Sequence, residues 1–109
     1  MSTDTGRIRV LNDLLRTTGL GGVVVLTGGI VALPRPTRRA VLEAVQHFTA
    51  FTPDNDPHGE HDFALLQAAG EWVMFKIDYF DLTLTGHSED PADPDLTLRV
   101  LTIMLSREY

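Results

Sequence analysis

The chain has 109 residues, of which 43% are hydrophobic and 22% charged, with a formal charge of −6 and no cysteine. This length suits a single domain over residues 1–109 with one modest core, and the composition argues against disordered, collagenous and coiled-coil chains. The lack of cysteine excludes disulfides, thiolate zinc sites and cysteine nucleophiles together.

Arg7 to Thr17 reads as a helix, because Ile8, Leu11 and Leu15 recur on one face with Leu14 beside them. Thr3 or Thr5 is placed to cap its start, and Gly19 to close its end in the left-handed conformation, with Leu20 making the hydrophobic contact that follows. Val23 to Leu26, bracketed by Gly21-Gly22 and Gly28-Gly29, reads as a short strand buried on both faces. Leu33-Pro34-Arg35-Pro36-Thr37 opens a second helix, which carries Val41, Leu42, Val45 and Phe48 inward and must stop before Pro53. The longest apolar run, Leu20 to Leu33, spans 14 residues with four glycines. That is short of the roughly 20 residues a bilayer requires. The 19 mostly polar residues before it make a poor signal peptide, so a cytoplasmic protein without a membrane anchor is expected.

Phe63 to Gln67 and Trp72 to Phe80 read as a hairpin joined by the three-residue turn Ala68-Ala69-Gly70. The expected register sets Phe63 opposite Phe75, Leu65 opposite Val73 and His61 opposite Ile77, all on one face with Tyr79. The other face pairs Asp62 with Lys76, Ala64 with Met74 and Leu66 with Trp72. Asp93-Pro94 resembles a helix start, so Leu96 to Glu108 reads as a last helix, although Thr97, Val100, Thr102 and Ile103 also suit a strand. The expected fold is therefore α+β: a mostly antiparallel three-stranded sheet with two to three helices packed on one face.

Charge is segregated along the chain. Residues 1–53 carry six arginines against Asp4, Asp13 and Glu43, giving +3; residues 54–98 carry eleven acids against Lys76, giving −10; residues 99–109 add +1. Such a run is either a solvated loop, a cation site or a surface aimed at a basic partner.

The densest polar block holds Asp54, Asp56, His58, Glu60, His61 and Asp62 within nine residues. Asp56, His58, His61 and Asp62 are candidate metal ligands, since hard cations take carboxylates and zinc also accepts imidazoles. A calcium-loop template begun at Asp54 matches Asp56 and Gly59 but puts Leu65 where the bidentate glutamate belongs, so an EF-hand is rejected. The plainer reading has Asp54, Asn55 and Asp56 capping turns around Pro53 and Pro57, with His61 a satisfied, partly buried histidine.

Glu60, Asp62, Lys76 and Asp78 form a second candidate group on the polar face of the hairpin, able in principle to hold a divalent metal and orient a water for phosphodiester cleavage. Restriction-type nucleases place an acid two residues before their lysine. Met74-Phe75-Lys76 lacks it, and a cross-strand ion pair of Asp62 with Lys76 explains the same residues. No phosphate-cradling glycine motif and no serine nucleophile elbow is present. Arg7, Arg9 and Arg16, and Arg35, Arg38 and Arg39, sit on the two helices without an aromatic platform or recognition-helix pair. Direct nucleic-acid binding is therefore not expected.

Phe51-Thr52-Pro53-Asp54-Asn55-Asp56-Pro57, followed by Gly59-Glu60-His61-Asp62-Phe63, resembles the signature of a family of small bacterial proteins of alphaproteobacterial type, domain of unknown function 3768. Leu11-Asn12-Asp13, Thr18-Gly19-Leu20-Gly21-Gly22, Lys76-Ile77-Asp78-Tyr79 and Arg99-Val100-Leu101-Thr102-Ile103-Met104-Leu105 fit the same pattern. The resemblance implies a single-domain protein, often encoded near mobile genetic elements, with no assigned activity.

Two functions follow as expectations. One is a non-enzymatic interaction module without a cofactor, offering an acidic surface over residues 54–95 to a basic protein partner. Its binding residues are Asp54, Asp56, Glu60, His61, Asp62 and Asp78, and the mobile-element setting suggests an inhibitor as one form. The other is a small hydrolase that uses a divalent metal with Glu60, Asp62, Lys76 and Asp78. The lack of a complete catalytic template favours the module.

Overall fold

A computed structural model describes residues 2–109, with side chains from residue 4 onward. Helix α1 runs Ser2–Thr18, earlier than the expected caps, so Thr3 and Thr5 lie within it; the side chain of Thr3 is outside the described residues. Its buried face is Ile8, Asn12, Leu15 and Arg16, while Leu14 is exposed. Two polar residues thus share the inner face with two apolar ones. Gly19 ends the helix at φ +79°, donating its N–H to the Leu15 carbonyl at 2.8 Å. Leu20 stays exposed, whereas a closing hydrophobic contact was expected of it.

Strand β1 (Val23–Leu26) is followed by a single unforeseen turn of helix, α2 (Gly28–Val31), which drives Ile30 into the core. Helix α3 (Arg35–Gln46) starts at its prolines and buries Val41 and Val45. Strands β2 (Phe63–Ala68), β3 (Glu71–Phe80) and β4 (Leu98–Leu105) follow, and a 3₁₀ turn (Ser106–Glu108) comes last. Glu108 ties that end back to the start of α2, accepting from the Thr27 hydroxyl at 2.7 Å and the Gly29 N–H at 2.9 Å. These bonds, that of Thr27 foremost, hold its carboxyl below the usual range.

The sheet has four strands in the order β1-β4-β3-β2 and is mixed, since β1 runs parallel to β4 while the other pairs are antiparallel. The fourth strand is the segment expected as a last helix. Its alternation decides the matter: Arg99, Leu101, Ile103 and Leu105 are buried on one face, and β-branched Val100 and Thr102 lie between them. Asp93 does cap, but only a turn, accepting the Asp95 N–H at 2.9 Å. β1 is an edge strand, so Val23, Val24 and Val25 are 44%, 43% and 41% exposed, in contrast to the strand buried on both faces that was expected.

The hairpin forms with a register one residue from the expected one: Phe63 opposes Lys76, Ala64 opposes Phe75, Leu66 opposes Val73 and Ala68 opposes Glu71. The turn is the two-residue Ala69-Gly70, both left-handed at φ +52° and +81°. Two such residues match the twist of the strands they join. The inner face therefore takes Ala64 and Leu66 from β2, while Phe63 and Leu65 turn outward. The assignment of β3 stands: Val73, Phe75, Ile77 and Tyr79 all face the core beneath α1 and α3.

Gly22 threads between α1 and β4. A Cβ there would overlap the Arg99 carbonyl oxygen and lie 2.9 Å from Leu15 Cδ2. Backbone cannot yield cheaply, so Gly22→Ala is expected to lower stability by about 1–3 kcal/mol, read as a lower urea midpoint at unchanged m-value. An unchanged midpoint would show that the passage is not tight.

Candidate functional site

The polar residues on α1 organise the central acidic block. Arg16 Nη1 donates to the carbonyls of Val45, Gln46 and Phe48 at 3.0, 3.2 and 2.9 Å, capping the C-terminal end of α3. Its Nη2 donates to Asp13 Oδ1 at 3.0 Å, and its guanidinium lies 5.3 Å from the Phe51 ring and 5.6 Å from that of Phe75. Asp13 also meets His61 Nδ1 at 2.9 Å, while His61 Nε2 lies 3.7 Å from Asp56 Oδ2. The His61 ring stacks on Phe51 with centroids 3.9 Å apart, and its backbone is left-handed at φ +55°. That conformation disfavours a residue with a Cβ. It persists because Asp56 accepts the His61 N–H at 3.2 Å and two carboxylates flank the ring.

A second network lies beneath. Arg99 donates from Nε to Asn12 Oδ1 at 2.6 Å and from Nη2 to the Pro91 carbonyl. Asn12 Nδ2 donates to the Tyr79 hydroxyl at 2.8 Å, and that hydroxyl donates to Glu60 Oε1 at 2.7 Å. Burial, and then the bond to Glu60, push the Tyr79 hydroxyl's pKa up; burial pushes that of Arg99 down. Arg9 and Asn12 pin the loop from the α1 side through the carbonyls of Gly59 and Glu60 at 2.9 and 3.0 Å.

These networks distribute the expected site residues. Asp56 and His61 are held inside the block, Glu60 is committed to Tyr79, and Asp54 and His58 are exposed. The expected pair of Asp62 with Lys76 gives way to Lys76 with Asp78 at 2.8 Å, because the shifted register puts Phe63 opposite Lys76. Glu60 follows Tyr79 to the inner face, whereas Lys76 and Asp78 occupy the outer positions of β3, so these four residues do not converge. Among the described residues no group of three or more His, Asp or Glu side chains could hold a metal ion.

Asp62 and Asp78 border the same cleft, which measures about 490 Å³ and is walled by Phe80, Leu84 and His87. Its rim is set by Asp81, which accepts the N–H groups of Thr83 and Thr85 at 3.2 and 3.0 Å together with both hydroxyls. The Thr85 N–H above all holds the Asp81 carboxyl below its usual range. Leu82 and Leu84 project into solvent from this loop, and Leu84 is left-handed at φ +59°. Asp62 is half-buried. Desolvation, and then the charges of Glu60 and Asp56, raise its pKa. Among the described residues it has no salt-bridge partner.

The roles of Asn12, Asp13, Arg16 and Arg99 were not foreseen. The usable signal was Asn12 and Arg16 at inward spacings of α1, and an arginine among the apolar residues of β4.

No helix of the described residues is long and apolar enough to cross a membrane. No curated protein and no solved structure matches the chain. A family model does: that of Protein of unknown function (DUF3768) matches residues 26–108, about three quarters of the sequence, and the chain belongs to that family.

Proposed function

We propose that the protein is a non-enzymatic interaction module that presents its acidic segment, residues 54–95, to a partner with a basic surface, and that the cleft over Asp62 and Asp78 receives a lysine or arginine side chain. Asp62 carries this reading. A half-buried carboxylate surrounded by other acids is costly to ionise in the free protein, and an incoming cation relieves that cost. The exposed Leu82 and Leu84 add apolar contact beside the charge. An inhibitor that offers carboxylates in place of nucleic-acid phosphates is one form of such a module.

The test is fluorescence anisotropy with a labelled arginine-rich peptide. Affinity should fall steadily between about 0.05 and 0.5 M salt, and Asp62→Asn should weaken binding about tenfold. Binding that ignores both salt and this substitution would refute the reading. The metal-dependent hydrolase is the weaker second reading: Asp62 and Asp78 line one cleft, but among the described residues no third ligand joins them. It requires a thermal shift with Mn²⁺, Mg²⁺ or Zn²⁺ that Asp62→Asn abolishes.

Asp62→Asn should also stabilise the free protein. A carboxyl whose folded pKa exceeds its unfolded value lets the native state hold more protons between the two. Its contribution is therefore most favourable below the unfolded value and is lost as pH rises through the folded one. The substitution should raise the melting temperature by roughly 2 °C at neutral pH, a small effect because the group is half-exposed. The gain should vanish at acid pH, where both side chains are neutral. A lower melting temperature at neutral pH would contradict this.

A further inference from the structure

The molecule's other charged region lies away from the acidic cleft, beside an unprotected sheet edge. β1 ends the sheet, and among the described residues no strand lies on its outer side. Natural edges are commonly blunted by a lysine, a proline or a bulge. This one reads Val23-Val24-Val25-Leu26 and carries none of these. On the helix-covered face, α1 and α3 stop short of β1 and leave a cleft of about 260 Å³ lined by Leu15, Val24, Leu26, Leu42, Leu101 and Ile103. Leu42 and Gln46 also line the adjoining groove of about 780 Å³, whose other side is Arg35, Arg38 and Arg39. Arg35, Arg39, Leu42 and Gln46 recur at helical spacing, so they make one stripe leading from the arginines to the β1 edge. Within that groove Glu43 is the one acid, 3.9 Å from Arg39, whose side chain is 82% exposed.

We infer that the β1 edge takes an extended acidic polypeptide segment by strand addition, with an apolar side chain entering the cleft beside Val24 and carboxylates lying along the Arg35–Arg39 ridge. Main-chain hydrogen bonds to the free edge supply affinity, and the cleft and the arginines supply selectivity. Charge decides the occupant. The groove beside the edge is lined by Arg35, Arg38 and Arg39 against the single acid Glu43, so its net charge is positive. An acidic segment is attracted by the same ridge. This inference is independent of the acidic-cleft reading, because it uses another surface and a partner of the opposite charge.

The probe is a labelled peptide of about eight residues, a strand with its flanks, in which every second residue, on the face turned to α3, is valine or glutamate by turns and the residues between them are serine. Two counterparts accompany it: one with lysine for glutamate, and one N-methylated at alternate residues along the edge that would pair. The intact protein and an Arg35→Glu/Arg39→Glu variant are titrated with each. Both positions are exposed, so the fold should be retained. The acidic peptide should bind the intact protein at least about tenfold more tightly than the lysine peptide, and the double reversal should erase that preference. N-methylation should abolish binding, because it removes donors without altering charge. No binding of the acidic peptide, equal affinity for the lysine form, or full affinity of the N-methylated peptide would overturn the inference. A sedimenting dimer that Val24→Lys converts to a monomer would also overturn it, by showing a second copy on the edge.

Discussion

Arg99→Ala is expected to lower the stability of the fold by about 3–5 kcal/mol, the range typical of removing one member of a buried charged network. Arg99 is 1% exposed in the middle of the sheet. Its guanidinium lies 5.1 Å from the Tyr79 ring and supplies donors to Asn12 and to the Pro91 carbonyl. Alanine leaves those acceptors without donors, opens a cavity and takes away the positive charge over the Tyr79 ring. For a domain of this size the melting temperature should drop by roughly 12 °C or more. Arg99→Lys should recover little, since a single ammonium cannot reproduce the planar fork that reaches Asn12 and Pro91 together. Arg99→Met restores volume without charge and separates packing from polar contributions. A change in melting temperature of only a degree or two for the alanine variant would mean that the network adds nothing to the fold.

Phe75→Ala is expected to have an effect of similar size, about 3–5 kcal/mol. Phe75 is 0% exposed and makes edge-to-face contacts with Phe48 and Phe51, at centroid distances of 5.9 and 6.3 Å. It also faces the Arg16 guanidinium, so its loss loosens the point where α1, α3 and β3 meet. Phe75→Leu should cost less than about 1.5 kcal/mol because most of the volume remains. Phe51→Ala combined with Phe75→Ala should depart from additivity, since the two rings touch. Chemical denaturation of the single and double variants measures that coupling directly, and strict additivity would contradict the shared cluster.

Much of this architecture could be read without coordinates where a local rule was strong. Gly19 ends α1, the prolines open α3, and Val73, Phe75, Ile77 and Tyr79 face inward, because capping, proline geometry and strand alternation are each decided within a few residues. The misreadings fall where tertiary context outweighs local pattern. Asp93-Pro94 looks the same at the start of a helix or a turn, and only the partners on either side of β4 make Leu98–Leu105 a strand. The register slipped because Ala69 adopts a left-handed turn position for which asparagine or glycine is the usual signal. That shift is what removed the anticipated Asp62–Lys76 pair.

The candidate site was legible as a composition but not as an arrangement. The acids and histidines after Pro53 were visible, yet whether each was committed or available depended on residues distant in sequence: Asp13 for His61 and Tyr79 for Glu60. Asp62 emerged as the distinctive acid only once its neighbours were placed.

The position of β4 also bears on how the chain acquires its structure. Val23 pairs with Val100, so the first strand finds its neighbour 77 residues later. The same late strand separates β1 from the β3–β2 hairpin. Helices and the hairpin can form from nearby residues, but the sheet has no continuity until the last one inserts between two pre-existing borders. Long-range closure of this kind slows assembly and prolongs exposure of sticky valines. During synthesis, the interval before Leu98–Leu105 docks is when the protein is most vulnerable to misassociation.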